Sequence, residues 1–362
     1  ELEAGTLTQA DAEELLACLW IKFDNQPAPP KVGVTAQESG TYTDFVQINL
    51  GGLRADGSSA ANQVSLLMLD TIQTMKQVQP NPSVHISEET PDEFLIRTLE
   101  VVREGMGKPD LFNSEMVVEE MLRVGKDLVD ARLGGTSGCI ETGAFGKEAY
   151  ILTGYFNIPK ILEVTLNQGH LIKPGDGRPG TEDRGPETAR KGDGESGGRK
   201  TGVKRPRTGD PRDFESFDDL FEAFKAQLKY YLDLKIEGNL VIEKLFAEQM
   251  PAPFLSLLTD DCIQTGLDYH QGGARYNTSY IQGVGLGTIT DALSAIKTHV
   301  FDEKNLAMDA LLDLLKNDFQ DGERERQLLL NRTPRYGNDD QRVDVIAQEV
   351  FNAYVALIDG RP

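Results

Sequence analysis

Gly134-Gly135-Thr136-Ser137-Gly138-Cys139-Ile140-Glu141-Thr142-Gly143-Ala144-Phe145-Gly146-Lys147-Glu148 sets one cysteine in a glycine-rich stretch, with a carboxylate two residues later. Glycines at 134, 135, 138, 143 and 146 allow positive φ or close approach to another surface. In extended chain, side chains two residues apart point the same way. Cys139 and Glu141 are therefore expected to face one small molecule, as a sulfur centre and an acid/base group on one tip.

Outward from that loop, 362 residues suffice for a large core and for one to three domains. A hydrophobic content of 39% marks a globular chain, and no run approaches the roughly 18 apolar residues of a membrane span. The first residue is Glu1, with no charged-then-apolar leader before it, so a processed piece or a part of a longer protein is expected. A net charge of −21, from 58 acidic and 37 basic residues, argues against a general nucleic-acid or anionic-membrane binder. It suits a soluble cytoplasmic enzyme acting on a small molecule.

The cysteines are Cys18, Cys139 and Cys262; this spacing forms neither a disulfide framework nor a CxxC zinc pair. Cys18, within the apolar run Leu15-Leu16-Ala17-Cys18-Leu19-Trp20, is expected to be a buried, inert thiol. Cys262 follows Asp260-Asp261, an acidic setting that disfavours thiolate. His85, His170, His270 and His299 show neither metal-ligand spacing nor an identifiable nucleophile–base pairing. A hydrolase built on Cys139 thiolate thus lacks a visible partner, though a nest of backbone amides would still lower its pKa. Gly283-Val284-Gly285-Leu286-Gly287 falls short of the dinucleotide fingerprint, since Thr288 stands where the third glycine belongs, and is read as a tight turn. Asn277-Thr278-Ser279 matches a glycosylation sequon by chance in a cytoplasmic protein.

Helical patterns are expected over 9–23 (started by Thr8 with Asp11), 58–79, 91–105, 114–130, 148–168 with a local break at Pro159, 214–228, 238–258, 290–300, 303–317 and 340–358. Residues 31–53 read as strand and loop, and 276–288 as a strand entering a glycine turn. Phe214, Phe217, Leu220, Phe221, Phe224 and Leu228 make one apolar helix face, which is core. Residues 171–213, rich in Gly, Arg, Lys, Asp and Glu and without an aromatic residue, read as a flexible surface insert; the basic cluster from Lys200 to Arg207 lies in a segment with interleaved acidic residues and has no stacking platform for nucleic acid. The alternation of elements indicates an α/β fold with a mainly parallel sheet or barrel, without choosing between them.

Ser39, Asp44, Phe45 and Tyr155 form polar–aromatic groups that, taken alone, read as structural. Gly138-Cys139-Ile140-Glu141, with the preceding Gly-Gly-Thr-Ser and the following Thr153-Gly154-Tyr155-Phe156-Asn157, resembles the cysteine loop of glycyl radical enzymes of the pyruvate formate-lyase-like family. Segments 276–288 and Tyr336-Gly337-Asn338-Asp339-Asp340 resemble the family too, so the likeness covers nearly the whole chain outside 171–213. The resemblance implies a ten-stranded β/α barrel of two parallel half-barrels, with the cysteine on a loop inside. It implies a protein glycyl radical, installed by an S-adenosylmethionine iron–sulfur activating enzyme, and an anaerobic, homodimeric lyase. Cys139 would be the thiyl centre and Glu141 the acid/base. Ile140 stands where pyruvate formate-lyase itself carries a second cysteine, so formate-lyase chemistry is disfavoured.

Within the eliminating branch, Gly-Ala-Phe-Gly-Lys-Glu and Thr-Gly-Tyr-Phe-Asn point to dehydration of trans-4-hydroxy-L-proline, with Ser39, Asp44, Phe45 and Tyr155 lining the substrate pocket. Phe45 stands where the branch cleaving isethionate has tryptophan. Radical C–S or C–N cleavage, or another diol-type elimination, is the alternative chemistry; a non-catalytic remnant or partner-binding scaffold is the alternative of another class. The family's radical glycine lies in an Arg-Val-x-Gly-Tyr segment near its C-terminus, which does not occur here. The chain is therefore expected to be an internal part of the barrel domain, without the glycine radical domain and inactive alone.

Overall fold

In the computed structural model of the chain, the described residues are 1–25, 46–138, 140–171 and 206–361, apart from the side chains at 152 and 153. They form two compact units, Glu1–Tyr150 with Ala247–Thr278, and Ile151–Phe246 with Ser279–Pro362.

The first unit is built on a three-stranded parallel sheet, β1 (Gln47–Gly51), β2 (Asn81–Ile86) and β3 (Asp110–Asn113). Its register sets Leu50 opposite Val84, and Val84 opposite Leu111. Helices Gln63–Met75 and Asp92–Arg103 connect the strands. Leu50, Leu69, Ile72, Val84, Phe94 and Val101 close into one core with Trp20 of helix Gln9–Asp24, each worth about 1.5–3 kcal/mol of apolar burial. Thr8 and Asp11 cap that first helix reciprocally, as their spacing predicts: the Thr8 hydroxyl accepts from the Asp11 amide (3.2 Å) and the Asp11 carboxylate from the Thr8 amide (3.1 Å).

Several expectations are corrected here. Cys18 is exposed: Ala12 and Trp20 are the buried positions of its helix, and a residue two places from Trp20 points about 200° away at about 100° per residue. The helix expected over 58–79 runs only Gln63–Met75, from the Asn62 cap to Lys76 in the left-handed region (φ 48°). β2 follows and carried no signal. Pro82, Ser83, Val84 and His85 are all buried, so the strand lacks the polar–apolar alternation of a half-buried one. The stretch 114–130 is two helices, Ser114–Arg123 and Leu128–Arg132, parted near Gly125 (φ 86°).

The stretch expected helical over 148–168 opens instead as strand β6 (Glu148–Asn157), whose Tyr, Ile, Thr and Phe content favours the pleat. Pro159 then sits in the first turn of helix Ile158–Leu166, where its missing N–H costs nothing. Further elements are β4 (Gly135–Ser137), β5 (Glu141–Gly143) and β7 (Tyr276–Val284); β4 pairs antiparallel with β5, and β6 neighbours β7. The chain is thus α/β. Among the described residues the named strands make three separate small sheets, of which the three-stranded one is parallel.

The second unit centres on the long helix Phe217–Gln249, which buries Phe217, Leu220, Phe221, Phe224, Leu228, Leu232 and Ile236 along one face. Helices Ile158–Leu166, Leu286–Ile296, Met308–Lys316 and Gln341–Ile358, with Phe156 and Leu306, supply the rest of that core. At the end of the expected insert two positions are packed, while Arg207, Gly209, Arg212 and Asp213 are exposed. Thr208 and Pro211 are buried, and the Gln227 side-chain amide donates to the Pro206 carbonyl at 2.8 Å; residues 172–205 lie outside the described residues. Helix Glu323–Arg332 had no counterpart in the expected tail.

The tight turn expected at 283–287 is present. Gly285 adopts φ 89°, and a Cβ there would lie 2.6 Å from the Pro159 Cγ. Gly285→Ala therefore combines a left-handed backbone with a clash against a rigid ring. We expect it to lower stability by about 1–3 kcal/mol, read as a shift of the denaturant midpoint; an unchanged midpoint would refute this packing. Among the described residues, no helix is long and apolar enough to cross a membrane.

Candidate functional site

The glycine-rich stretch folds as the β4–β5 hairpin, with Gly135 opposite Gly143, Thr136 opposite Thr142 and Ser137 opposite Glu141. Residues 138–140 connect the strands, so Cys139 is the middle residue of the connection by sequence; its own structure lies outside the described residues. Gly138 takes φ 64°, and a Cβ there would sit 2.5 Å from the Glu141 Oε2. The positive φ favours glycine, and a Cβ would also require the Glu141 carboxylate to shift. Gly135 has ordinary φ but a Cβ would meet Asn49 Oδ1 at 2.8 Å, a close approach rather than a turn.

Glu141 is buried, and its Oε2 accepts a hydrogen bond from the Ile140 amide at 3.0 Å. The carboxylate therefore folds back onto the turn that contains Cys139. Behind it, the Tyr150 hydroxyl donates to the Ser137 hydroxyl at 2.7 Å.

Polar side chains from the parallel sheet grip β4. Asn49 accepts from the Thr136 amide through Oδ1 (3.0 Å) and donates to the Thr136 carbonyl through Nδ2 (2.9 Å). His85 Nε2 lies 2.6 Å from Asn49 Oδ1 and 3.2 Å from the Thr136 hydroxyl. With Oδ1 fixed as an acceptor by the Thr136 amide, Nε2 carries the proton and donates. Burial pushes the His85 pKa down to about 4, so the ring is neutral at pH 7.

That shift has a stability consequence. Between about pH 6.5 and pH 4 the unfolded chain binds a proton that folded His85 refuses, so stability falls as pH drops through this window. The loss amounts to about 3 kcal/mol at most. His85→Phe should remove that part of the slope in pH-dependent unfolding, and an unaltered slope would count against a buried neutral His85.

The segment after β5 is held by a buried ion pair. Lys126 Nζ meets Glu148 Oε2 at 2.6 Å, the same oxygen accepts from the Ala144 amide (2.8 Å), and Glu148 Oε1 accepts from the Thr278 hydroxyl (2.7 Å). Nearby, Asp130 pairs with Lys147, with Arg275 (3.3 Å) and with the Tyr276 hydroxyl (2.9 Å). Burial opposes its ionisation, but these three partners hold its carboxyl below the ordinary value. Cys262 is buried, and its thiol is pushed up by that burial and by Asp268 and Asp261, in keeping with an inert group. Among the described residues, no group of three or more His, Cys, Asp or Glu is placed to hold a metal ion.

Of the residues singled out from sequence, Glu141 is on the hairpin. Tyr155 lies on β6 and is exposed, in the second unit. Ser39, Asp44, Phe45 and Cys139 lie outside the described residues. Asn49, His85, Tyr150, Lys126 and Glu148 carry no signal in the sequence pattern, because their partners lie far away along the chain. In the second unit, Tyr336 and Asp339 of the segment 336–340 line a cleft of about 540 Å³ with Leu286, Asp344 and Phe351.

The model of the pyruvate formate lyase-like family matches residues 1–362. The chain belongs to that family. It is 52% identical over 364 residues to trans-4-hydroxy-L-proline dehydratase of Clostridioides difficile, covering 100% of this chain and 43% of that protein. It superimposes on the crystal structure of hydroxyproline dehydratase from that organism, with trans-4-hydroxy-L-proline bound, at a TM-score of 0.85 and 51% identity, covering 100% of this chain and 42% of the other. The glycerol-bound B12-independent glycerol dehydratase of Clostridium butyricum matches at a TM-score of 0.84 and 32% identity, over 99% of this chain and 42% of the other. The chain thus spans about two fifths of the length of these family members.

Proposed function

We propose that the full-length protein carrying this chain is a glycyl radical dehydratase that eliminates water from trans-4-hydroxy-L-proline. The carrying observation is the Glu141 carboxylate, buried and turned back onto the Ile140 amide beside the cysteine. The 52% identity to a hydroxyproline dehydratase supports the substrate. In this proposal the chain forms part of a ten-stranded barrel of two half-barrels, interrupted by an insert near 171–213, in a homodimeric cytoplasmic enzyme. A glycyl radical from outside this chain, installed by an S-adenosylmethionine iron–sulfur activating enzyme, supplies the one-electron character.

The chain's own share is hydrogen-atom and proton movement. The Cys139 sulfur takes a hydrogen atom from a substrate C–H bond and returns it to the product, so the sulfur ends unchanged. Between those events Glu141 moves the proton that lets the hydroxyl depart as water, a role worth typically 10²–10⁴ in rate. Such a step requires the sulfur to be close to carbon and shielded from water. Ser39, Asp44, Phe45 and Tyr155 would orient the substrate, its ring amine, hydroxyl and carboxylate being polar and its ring CH₂ groups apolar.

The test uses the full-length protein, anaerobic and activated. A glycyl signal in electron paramagnetic resonance together with loss of trans-4-hydroxy-L-proline is expected, with isethionate unconsumed. Radical formation with turnover of isethionate instead would replace dehydration by C–S cleavage, and absence of any radical would favour a non-catalytic protein.

A further inference from the structure

We propose that His85 is a positioning residue for the cysteine hairpin, acting through the Asn49 side chain on Thr136. Its effect on catalysis rests on the function proposed above; its effect on the hairpin rests on geometry alone.

The side chains of Asn49 and His85 lie on one face of the parallel sheet. Asn49 is opposite Ser83, and His85 is two residues further along β2, opposite Gly51. Gly51 lets β1 approach the β2 backbone closely there, since a Cβ at that position would lie 2.7 Å from the His85 carbonyl oxygen. Asn49 then binds both the N–H and the C=O of Thr136, imitating with one side chain what a neighbouring strand does with its backbone. Hairpin strand β4 is thereby stitched to β1 by an amide whose direction matters. Turned over, Asn49 would set its NH₂ against the Thr136 N–H, donor to donor.

The His85 Nε2–H, 2.6 Å from Asn49 Oδ1, opposes that reversal. The imidazole is itself held, stacked on Phe112 of β3 with centroids 5.4 Å apart and planes 20° apart. A contact chain thus runs from β3 through β2 and β1 to Thr136, three residues before Cys139 and five before Glu141. Thr136 is fully buried and His85 nearly so. Polar groups at such positions are expensive unless paired, and here they are paired to one another. Catalytic groups must be held within a fraction of an ångström to be effective, and this cluster supplies such a hold for the hairpin's first strand.

The experiment compares His85→Phe, which keeps the ring over Phe112 and loses the donor, with His85→Gln, whose side-chain amide donates from a similar place. In the full-length, activated enzyme, H85F should retain its glycyl radical, keep KM within about twofold and lose about tenfold or more in kcat per radical; H85Q should recover most of that loss. Hydrogen exchange over residues 134–143 should accelerate about tenfold in H85F, with helix Phe217–Gln249 unchanged. A purely structural role would lower thermal stability and radical yield but leave turnover per radical at the wild-type value, and that result overturns the proposal. So does unaltered exchange in the hairpin. Should H85F fail to accumulate, His85→Met against H85Q makes the same comparison. Wild-type protein that holds the radical yet ignores trans-4-hydroxy-L-proline sinks the function proposed above, and the exchange measurement then decides the His85 contact independently.

Discussion

Full-length protein with Cys139→Ala should take up its glycyl radical and turn over no trans-4-hydroxy-L-proline. Alanine has no S–H bond to exchange for a substrate C–H bond, and no other described cysteine replaces it: Cys18 is exposed on a helix and Cys262 is buried with its thiol pushed up. The companion variant Glu141→Gln separates two roles of one side chain. Glutamine still presents an oxygen to the Ile140 amide, which the carboxylate accepts at 3.0 Å, so the turn is kept. It carries no transferable proton at neutral pH. We therefore expect kcat to fall about 10²–10⁴-fold while the radical signal and hairpin exchange stay at wild-type levels. Near-normal turnover in Glu141→Gln would reduce Glu141 to a structural brace of the turn. Turnover in Cys139→Ala would remove the cysteine from the chemistry altogether.

The cysteine loop was legible because its constraints are local. Gly138 needs positive φ and room for the Glu141 carboxylate, and both follow from neighbours three residues apart. The capped first helix, the apolar face of Phe217–Gln249 and the strand–Gly285–helix turn were legible for the same reason. The sheet that grips the loop was not. β2 is buried on both faces and shows no alternation, and the sequence of β6 suits helix as well as strand when no tertiary contact is known. Asn49 reaches Thr136 across 87 positions of sequence, a distance at which spacing carries no information. The glycine turn before Glu141 was thus readable, while the histidine and asparagine that bind Thr136 became visible only in three dimensions.

Lys126→Met should produce the largest stability loss of any substitution considered, about 3–5 kcal/mol, because it strands a charge rather than an apolar surface. Both side chains of the Lys126–Glu148 pair are all but buried, at 4% and 2% exposure. Glu148 would keep the Ala144 amide and the Thr278 hydroxyl as donors but lose the Lys126 cation at 2.6 Å. Two neutral hydrogen bonds do not offset removing a carboxylate from water. The effect should therefore be repaired by discharging the partner. Lys126→Met with Glu148→Gln keeps an acceptor oxygen for the Ala144 amide and turns its NH₂ to the Thr278 hydroxyl, which accepts as well as donates, without a stranded charge; it should recover at least half of the loss, a coupling that a double-mutant cycle reads directly. The alternative is that Lys126 contributes mainly its aliphatic stem, packed where methionine packs equally well. Unfolding midpoints in denaturant decide between them: a single variant within about 1 kcal/mol of wild type, or a double variant no better than the single one, would mean that packing and not charge holds the segment after β5 in place.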